Sequence, residues 1–297
     1  MVTGASGFIG KSLINKLLTL DFEVLAIGRE IPSQQKVDSL YWLKANFSIP
    51  ETYQTEINEF KPEVLIHLAW QDIPDYSLEK SIFNLNQSLS FISYITKIKS
   101  CKKILISGSC WEYGKIYGEC HNSDRVYPTD FFSISKHSLH LMTEIMSNQK
   151  SIKFGWFRLF FVYGPGQRSE SLIPSILNNL KKGQAPNIRT PLNANDFVYV
   201  DDVADAFSKA VSVNFPSGVY NLGSGRSTSV LEVFRIAEKV ALGSESLTAE
   251  LESTIKSSQA EVDFWANIQN AKASLDWQPT TSLTDGIKQT QHWINGQ

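Results

Sequence analysis

Thr3-Gly4-Ala5-Ser6-Gly7-Phe8-Ile9-Gly10 is the stretch that decides the fold of this chain. Its glycines are spaced GxxGxxG, and a helical pattern follows at once over residues 11–20. Gly4 permits a tight strand-to-helix turn, Gly7 lets the backbone approach a pyrophosphate, and Gly10 lets the helix pack closely on a sheet. The N-terminus of that helix offers free N–H groups and a positive dipole end to phosphates. The stretch therefore predicts a dinucleotide-binding strand–loop–helix unit.

Short apolar runs alternate with helical patterns through the first two-thirds of the chain. The runs are rich in β-branched and aromatic residues and are too short for helices, which predicts buried strands. Strands are predicted at residues 22–27, 64–68, 104–107 and 154–162, and helices at residues 11–20, 78–99 and 133–147. This alternation predicts a parallel sheet covered on both faces. Only Met1, Val2 and Thr3 precede the glycine loop, fewer than the roughly five residues of a usual strand. Either the chain start is truncated or misassigned, or the first strand is unusually short.

The alternation of apolar runs and helical patterns changes past Gly164. Helices are predicted at residues 171–182, 229–242 and 282–293, a short strand at 197–200, and a loop-rich stretch at 244–259. This order predicts a larger N-terminal sheet domain and a smaller C-terminal region, with the chain crossing between them more than once.

The composition excludes several classes of protein. The chain has 297 residues and a formal net charge of −2, with 42% hydrophobic and 20% charged residues, which is ordinary for a globular protein. The near-neutral charge argues against nucleic-acid binding. No apolar run approaches the ~20 residues of a membrane span, so no membrane partner is expected. No signal peptide pattern opens the chain, and Cys101, Cys110 and Cys120 form no CxxC motif, so we interpret them as free thiols and expect a cytoplasmic protein.

The residue after the second predicted strand bears on the cofactor. An acidic residue there would bond the ribose 2′-hydroxyl and favour NAD, but this chain has Gly28 followed by Arg29. A guanidinium pairs well with a 2′-phosphate, which favours NADP(H). Glu30 beside it keeps NAD possible.

Taken together, these motifs resemble those of the extended short-chain dehydrogenases/reductases, and within them the NAD(P)-dependent epimerase/dehydratase family acting on nucleotide sugars. The resemblance covers nearly the whole chain. Beyond the glycine loop it rests on VLIHLAW at Val64, FNLNQS around Asn84, LISGSCWEYG at Leu105, RLFFVYGPG at Arg158, DFVYVDDVADAF at Asp196, GVYNLGSG at Gly218 and LDWQP at Leu275. Each motif is modest alone, but their order along the chain is specific.

The resemblance implies an α/β fold with a Rossmann-type doubly wound parallel sheet and a smaller C-terminal substrate-binding domain. The sheet domain is expected at residues 1–163, with 195–225 returning to it, and the substrate domain over most of 164–297. The site is expected in the cleft at the carboxyl ends of the strands. The expected cofactor-binding residues are Gly4, Ser6, Gly7, Phe8, Ile9, Arg29, Leu68, Ala69 and Lys136. Asn84 matches a helix asparagine that is structural in the family.

The catalytic pattern of the family is incomplete here. Reduction of a sugar carbonyl needs a proton donor, which the family supplies as a Tyr with a Lys four residues later that lowers its pKa. Lys136 matches that Lys, and Ser109 matches the Ser whose hydroxyl polarises the carbonyl. Phe132 stands in the place of the Tyr and has no proton to give.

Three interpretations of Phe132 stay open. The residue was changed deliberately to silence the site, or another group serves as the acid, or the protein binds its ligands without turnover. The alternative acids are Tyr113, Tyr127, Tyr163, Cys110 and a water held by Ser109 and Lys136.

Two further departures concern the reaction and the substrate. The 4,6-dehydratases of the family carry an Asp-Glu pair after the catalytic residue, where this chain has Cys110 and Trp111, so dehydration is not expected. Asn195 replaces an Arg that often grips the diphosphate, and Arg168, Arg189 or Arg226 could take over. The expected substrate-binding residues are Trp111, Phe161, Arg168 and Arg189, and Trp70 falls in the same cleft.

The remaining polar residues are given no role in binding or catalysis, and no metal is expected. His67 is interpreted as a packed core histidine, and His137 and His140 as helix-surface residues without a third ligand nearby. Asp201 and Asp202 are interpreted as structural acids that cap a helix.

The sequence favours an NADP(H)-dependent reductase of a 4-keto-6-deoxy nucleotide sugar, in sugar biosynthesis for surface polysaccharide. The alternatives are an NAD-dependent nucleotide-sugar epimerase and a catalytically silent binder. The resemblance also implies a homodimer that uses the helices at 78–99 and 133–147. Apolar positions compatible with that contact are Phe91, Ile92, Ile95, Leu139 and Ile145.

Overall fold

A seven-stranded parallel sheet forms the centre of the computed structural model, which describes residues 1–32, 37–114, 117–255 and 260–297. The strands are β1 (Val2–Thr3), β2 (Val24–Gly28), β3 (Leu40–Lys44), β4 (Val64–His67), β5 (Lys103–Ser109), β6 (Tyr117–Cys120), β7 (Lys153–Leu159), β8 (Phe161–Tyr163), β9 (Ala194–Asn195), β10 (Phe197–Tyr199), β11 (Gly218–Leu222), β12 (Thr228–Ser229) and β13 (Asp263–Ala266). The helices are α1 (Phe8–Leu18), α2 (Gln54–Phe60), α3 (Leu78–Ile95), α4 (Phe131–Gln149), α5 (Leu172–Lys181), α6 (Val200–Ser212), α7 (Val230–Leu242), α8 (Ser246–Thr254), α9 (Gln269–Leu275) and α10 (Leu283–Asn295).

The strand order of the large sheet is β11-β7-β5-β4-β1-β2-β3, which is doubly wound and confirms the predicted Rossmann-type α/β fold. β1 can be short because it lies in the middle of the sheet. Val2 pairs with Ala26 of β2 on one side and with Ile66 of β4 on the other, and is buried. The order of the strands reverses between β1 and β4, which puts a ligand-binding crevice at their carboxyl ends.

Helices cover both faces of this sheet. Leu13 and Leu17 of α1 pack with Phe207 of α6 and Phe157 of β7 in one core. The second core, on the other face, contains apolar residues of α3 and α4. Polar contacts also tie α1 to α6, since Ser12 donates a hydrogen bond to Asp201 and Lys16 lies 2.8 Å from Asp205. The N-terminal helix is therefore held by an element that comes much later in the chain.

The predicted strand at residues 154–162 is two strands, which corrects the sequence prediction. β7 ends at Leu159 in the large sheet, and β8 begins at Phe161 and pairs with β10 instead. Phe160 lies at the break, where its N–H donates to Leu222 at 2.9 Å and its side chain packs in a separate cluster with Phe264. A continuous apolar run hides such a change of sheet because the residues on both sides of the break are mostly apolar.

The chain past residue 164 contributes most of a third core and of a four-stranded sheet, which β8 and β6 respectively join from the earlier part of the chain. α5, α7 and α10 pack around β8 and β10, and the order of the small sheet is β12-β9-β13-β6. The chain returns to the large sheet at β11, which pairs with β7. Buried Asp196 joins these parts, because its carboxylate accepts hydrogen bonds from the backbone N–H groups of Gly225 and Ala266, each at 3.0 Å.

Asp201 and Asp202 lie in the first turn of α6, where negative charge suits the helix dipole, but neither side chain caps the helix. Asp202 instead accepts from the backbone N–H groups of Thr280 and Thr281 at 3.0 and 3.1 Å. The two acids are structural, as expected, but Asp202 holds the loop before α10 rather than its own helix. Within the ranges that the structure describes, no helix is both long and apolar enough to cross a membrane.

Most of the positions expected at a dimer contact lie inside the molecule. Phe91, Ile92, Ile95 and Leu139 are 0% exposed and pack in the core beneath α3 and α4. Ile145 alone of the five is exposed, at 58%. The helical period puts two apolar faces on these helices, and the sequence does not say which of them meets the sheet.

Candidate active site

Two adjoining cavities open at the carboxyl ends of β1, β2, β4 and β5. The first, of ≈ 180 Å³, is lined by Gly4, Ser6, Gly7, Arg29, Leu68 and Ala69 among others. The second, of ≈ 520 Å³, continues from it past Phe8, Ile9, Leu68 and Lys136. The nine residues predicted to bind the cofactor thus all line one cavity or the other.

The glycine loop makes the shared wall of these cavities. Gly4 has φ +67°, and a Cβ there would lie 2.9 Å from the backbone nitrogen of Ala69, so the turn requires glycine. Gly7 is the N-cap of α1 and lines both cavities. The N-terminal N–H groups of α1 therefore lie beside the cavities with space for a phosphate. The residues present fit a dinucleotide with its pyrophosphate at this helix end.

Arg29 lies at the rim of the first cavity. Its Nη1 donates to Oε1 of Gln71 at 3.2 Å and lies 3.5 Å from Oδ1 of Asp72, while the side chain is 64% exposed. An exposed guanidinium with weak partners is available to a phosphate.

Asn84 fixes the loop after β4, which lines both cavities. Its Oδ1 accepts from the Gln71 N–H at 2.6 Å, and its Nδ2 donates to the carbonyls of Gln71 and Lys80 at 3.2 and 2.8 Å. His67, just before this loop, bonds Thr3 through Nδ1 and Ser88 through Nε2, and burial lowers its pKa to about 3. His67 is therefore a neutral core histidine, as interpreted from the sequence.

Lys136 extends from α4 into the second cavity. Its Nζ donates to the Ser107 carbonyl at 2.9 Å and lies 4.2 Å from the centroid of the Trp70 ring. Burial lowers the pKa of Lys136 to about 7, against the charge of Glu112, which raises it. The ammonium is thus held by one carbonyl and one aromatic face inside an otherwise apolar wall.

Ser109 ends β5 at the wall of the same cavity. Its backbone N–H donates to Oε1 of Glu112 at 2.9 Å, and its Oγ accepts from the N–H of Trp111 at 3.2 Å. These two bonds fix the main chain and side chain where the strand turns into the 3₁₀ segment Cys110–Tyr113. The hydroxyl hydrogen remains available for a ligand.

Phe132 lies one helical turn before Lys136 and lines the same cavity. Its ring is 9% exposed and packs against Trp70, with ring centroids 5.6 Å apart, and against Tyr76, with centroids 4.9 Å apart. Helix spacing therefore puts Phe132 beside Lys136 as the sequence predicts, but with a phenyl ring in place of a phenol.

The tyrosines suggested as replacements for the missing acid do not line the cavity. Tyr113 is buried and donates to Asn221 at 2.7 Å, and Tyr163 is buried and donates to the Leu283 carbonyl at 3.4 Å. Tyr127 is exposed, outside the lining residues of both cavities. Cys110 does line the second cavity, but burial raises the pKa of its thiol well above its ordinary value.

The chain matches the model of the NAD dependent epimerase/dehydratase family over residues 1–223. It belongs to that family. A putative UDP-glucose 4-epimerase of Methanocaldococcus jannaschii is 26% identical, over 99% of this chain and 97% of that protein. A dTDP-4-dehydro-6-deoxyglucose reductase of Escherichia coli is 23% identical, over 97% of this chain and 94% of that one. The crystal structure of UDP-glucuronic acid 4-epimerase from Bacillus cereus in complex with NAD superposes with a TM-score of 0.83 at 21% identity, covering 99% of this chain and 98% of that one.

The aromatic and cationic residues expected to bind substrate in this epimerase/dehydratase family member fall into two groups. Trp111, Phe161 and Arg168 line the second cavity, and Trp111 is exposed towards solvent. Arg189 is exposed on the segment between α5 and β9 and does not line that cavity. Arg226 likewise lies outside the lining, so Arg168 is the guanidinium of the three that the fold brings to the site.

His137 and His140 are not simple surface residues, which corrects the sequence interpretation. His140 is 5% exposed and stacks on Trp156, with ring centroids 4.9 Å apart. His137 Nδ1 lies 3.8 Å from Oε2 of Glu112. Glu112, which the sequence reasoning passed over, is 0% exposed and also accepts from Arg158 Nε at 3.2 Å. Glu112 thus joins the two histidines as a third side chain able to ligate a metal, and the sequence analysis did not identify it.

Glu112, His137 and His140 bring possible metal-ligating atoms within 4.8 Å of one another. The charge balance of the site does not fit a cation, because the guanidinium of Arg158 already neutralises the carboxylate. Trp156 Nε1 and the Ser109 N–H use the remaining acceptor positions of Glu112. The cluster instead fixes the residues behind the cavity wall.

Proposed function

We propose that this family member is an NADP(H)-dependent reductase of a 4-keto-6-deoxy nucleotide sugar. The observation that carries the proposal is the joint placement of Ser109 and Lys136 in one cavity with the glycine loop. The positions after Ser109 are Cys110 and Trp111, which cannot perform the proton transfers of a dehydration. The similarity to a dTDP-4-dehydro-6-deoxyglucose reductase supports reduction.

Each part of the cavity has a role in that reaction. A bound nicotinamide dinucleotide supplies the hydride. The N–H groups at the start of α1 hold its pyrophosphate, and Lys136 binds its ribose. Ser109 donates its hydroxyl hydrogen to the carbonyl oxygen of the sugar, where negative charge develops. Trp111 and Phe161 give the sugar apolar walls, and Arg168 is placed to clamp the diphosphate.

The cofactor preference is expected to depend on Arg29. Replacing Arg29 with alanine removes the guanidinium at the rim of the first cavity, so NADPH should bind about tenfold more weakly while NADH binds as before. The fluorescence of each reduced nicotinamide cofactor on titration measures its affinity without turnover. Equal weakening of NADPH and NADH binding would contradict a specific contact with the 2′-phosphate. Lys44→Ala, an exposed cation on β3, is the matched control.

Two other functions have support of their own. The similarity to a putative UDP-glucose 4-epimerase favours an epimerase, which holds NAD tightly and consumes no cofactor. Phe132 favours a silent binder. The absorbance of the purified protein tests the epimerase alternative, since a dinucleotide that survives purification indicates an epimerase.

Consumption of NADPH tests the reductase proposal directly. The protein is expected to oxidise NADPH in the presence of a dTDP-, CDP- or UDP-linked 4-dehydro-6-deoxyglucose, and to oxidise NADH more slowly. A Phe132→Tyr variant assayed beside it restores the family's own acid. Absence of oxidation in both proteins would exclude the reductase. Such an activity belongs in the cytoplasm, in the supply of sugars for surface polysaccharide.

We also propose a homodimer through α3 and α4, as the family resemblance implies. Exposed apolar side chains lie along these two helices, at Leu78, Ile82, Phe83, Phe131, Ile134, Leu141, Met142 and Ile145. An Ile145→Asp substitution would bury a charge in such a contact and should give a monomer, measured by light scattering after gel filtration. Leu242→Asp, at the end of α7, is the control that should leave the dimer intact. A monomeric native protein would overturn the proposal.

A further inference from the structure

The family's proton donor is missing at Phe132, and the structure points to a different side chain in the same cavity. The titratable residues that line this cavity are Tyr76, Cys110, Lys136 and Arg168. The guanidinium keeps its proton at all ordinary pH values, and the thiol is buried. The Lys136 ammonium donates to the Ser107 carbonyl and is assigned to the ribose of the cofactor. We propose that Tyr76 donates the proton to the carbonyl oxygen of the substrate. This inference rests on the proposed reductase function.

The position of Tyr76 beside Phe132 supports this assignment. The two rings are in contact, with centroids 4.9 Å apart and planes inclined at 46°. Tyr76 therefore lies next to the place of the missing phenol and lines the same cavity. Its ring is 44% exposed, and its hydroxyl has no hydrogen-bond partner among the residues that the structure describes. The hydroxyl is therefore available to a substrate oxygen.

The loop that carries Tyr76 is fixed on both sides. Asn84 bonds its first part through Gln71, as described above, and Asp72 accepts from Lys80 Nζ at 2.6 Å. Arg168 Nη1 donates to the Ile73 carbonyl at 3.0 Å, three residues before Tyr76. The start of the loop is thus held by bonds to α3 and to the segment before α5.

The electrostatic surroundings of Tyr76 keep its phenol in the protonated form. Burial raises the pKa of Tyr76, while the charge of Arg168 lowers it and the charge of Asp130 raises it. The phenol is therefore protonated at neutral pH. Lys136 donates to Ser107 and faces Trp70. The charge of Arg168, besides its proposed contact with the diphosphate, favours the phenolate that remains once the proton has left.

The proposed step conserves atoms and electrons. Hydride from NADPH forms a new C–H bond at the carbonyl carbon and breaks the C=O π bond, whose electron pair moves to oxygen. That oxygen takes the phenolic proton of Tyr76, so the keto sugar becomes a hydroxy sugar and NADPH becomes NADP⁺. The phenolate regains a proton from water, which reaches it because the side chain is partly exposed.

A double-mutant cycle tests this role. The native protein, Tyr76→Phe, Phe132→Tyr and the double variant are assayed for NADPH oxidation with a 4-dehydro-6-deoxyglucose nucleotide, and Tyr127→Phe serves as the matched control on an exposed tyrosine. Tyr76→Phe should lower kcat/KM by roughly 10²–10⁴-fold in the native background. With the family's acid restored by Phe132→Tyr, the same change should cost less than about tenfold. NADPH fluorescence checks that cofactor binding is unchanged.

Other outcomes overturn the proposal. Equal losses in both backgrounds would mean that Tyr76 acts by packing on Phe132. Activity in Phe132→Tyr together with an inactive native protein would leave the reductase site standing and exclude Tyr76 as the donor. Inactivity of all four proteins would exclude the reductase function and the donor role together.

Discussion

Replacing Arg158 with methionine is expected to lower the free energy of unfolding by about 3–5 kcal/mol. Arg158 is 3% exposed, and its Nε lies 3.2 Å from Oε2 of Glu112, which is fully buried. The substitution keeps an unbranched stem like the inner part of the arginine side chain but leaves a carboxylate in the core without its counter-charge. Urea denaturation followed by circular dichroism measures the loss.

Two further variants identify the origin of that cost. Removing both charges with Glu112→Gln and Arg158→Met should recover part of the stability, because no unpaired charge remains. Lys288→Met removes a pair that is 3.7 Å long and more than half exposed, and should cost less than about 0.5 kcal/mol. A double variant less stable than Arg158→Met alone would show that the pair itself, rather than an abandoned charge, provides the stability.

Substituting Gly10 with alanine is expected to destabilise the protein by about 3 kcal/mol or more. A Cβ at this position would lie 2.2 Å from the Gly4 carbonyl oxygen and 2.8 Å from the Cα of Ala5. Both are backbone atoms of the cofactor loop, so α1 must move away from the loop. Loss of NADPH binding should accompany the drop in the thermal unfolding midpoint.

The direction of this effect is informative, because helix propensity alone predicts the opposite. Gly10 lies inside α1, where alanine is favoured over glycine by about 1 kcal/mol. Gly296→Ala is the control, since a Cβ there meets nothing closer than 3.7 Å. A Gly10→Ala protein as stable as the native one would mean that the loop and helix can separate without cost.

The sequence predicted the features that local physics determines. The glycine loop, the alternation of strands and helices, and the i, i+4 placement of Phe132 and Lys136 each depend on neighbouring residues, so spacing and residue type were sufficient. The strand β3 was missed because its sequence LYWLK alternates weakly and is half exposed. The break at Phe160 was missed because a buried strand and a change of sheet share the same apolar composition.

The cavity's polar chemistry was harder to predict because it depends on contacts between distant segments. Tyr76 lies in a loop far from Phe132 along the chain, and no spacing rule links the two rings. Glu112 looked unremarkable beside Cys110 and Trp111, although it is the most deeply buried of the three. The partners of Glu112 come from β7 and α4, which only the folded chain brings together.

The dependence of α1 on α6 has a consequence for how the protein is made. Ser12 and its partner Asp201 are separated by 189 positions. At ordinary translation rates of about 5–20 residues per second, the ribosome takes roughly 10–40 s to pass from one to the other. For that interval the N-terminal helix exposes the apolar side that later packs against α6. Chains interrupted before α6 should therefore bind chaperones that recognise exposed apolar surface.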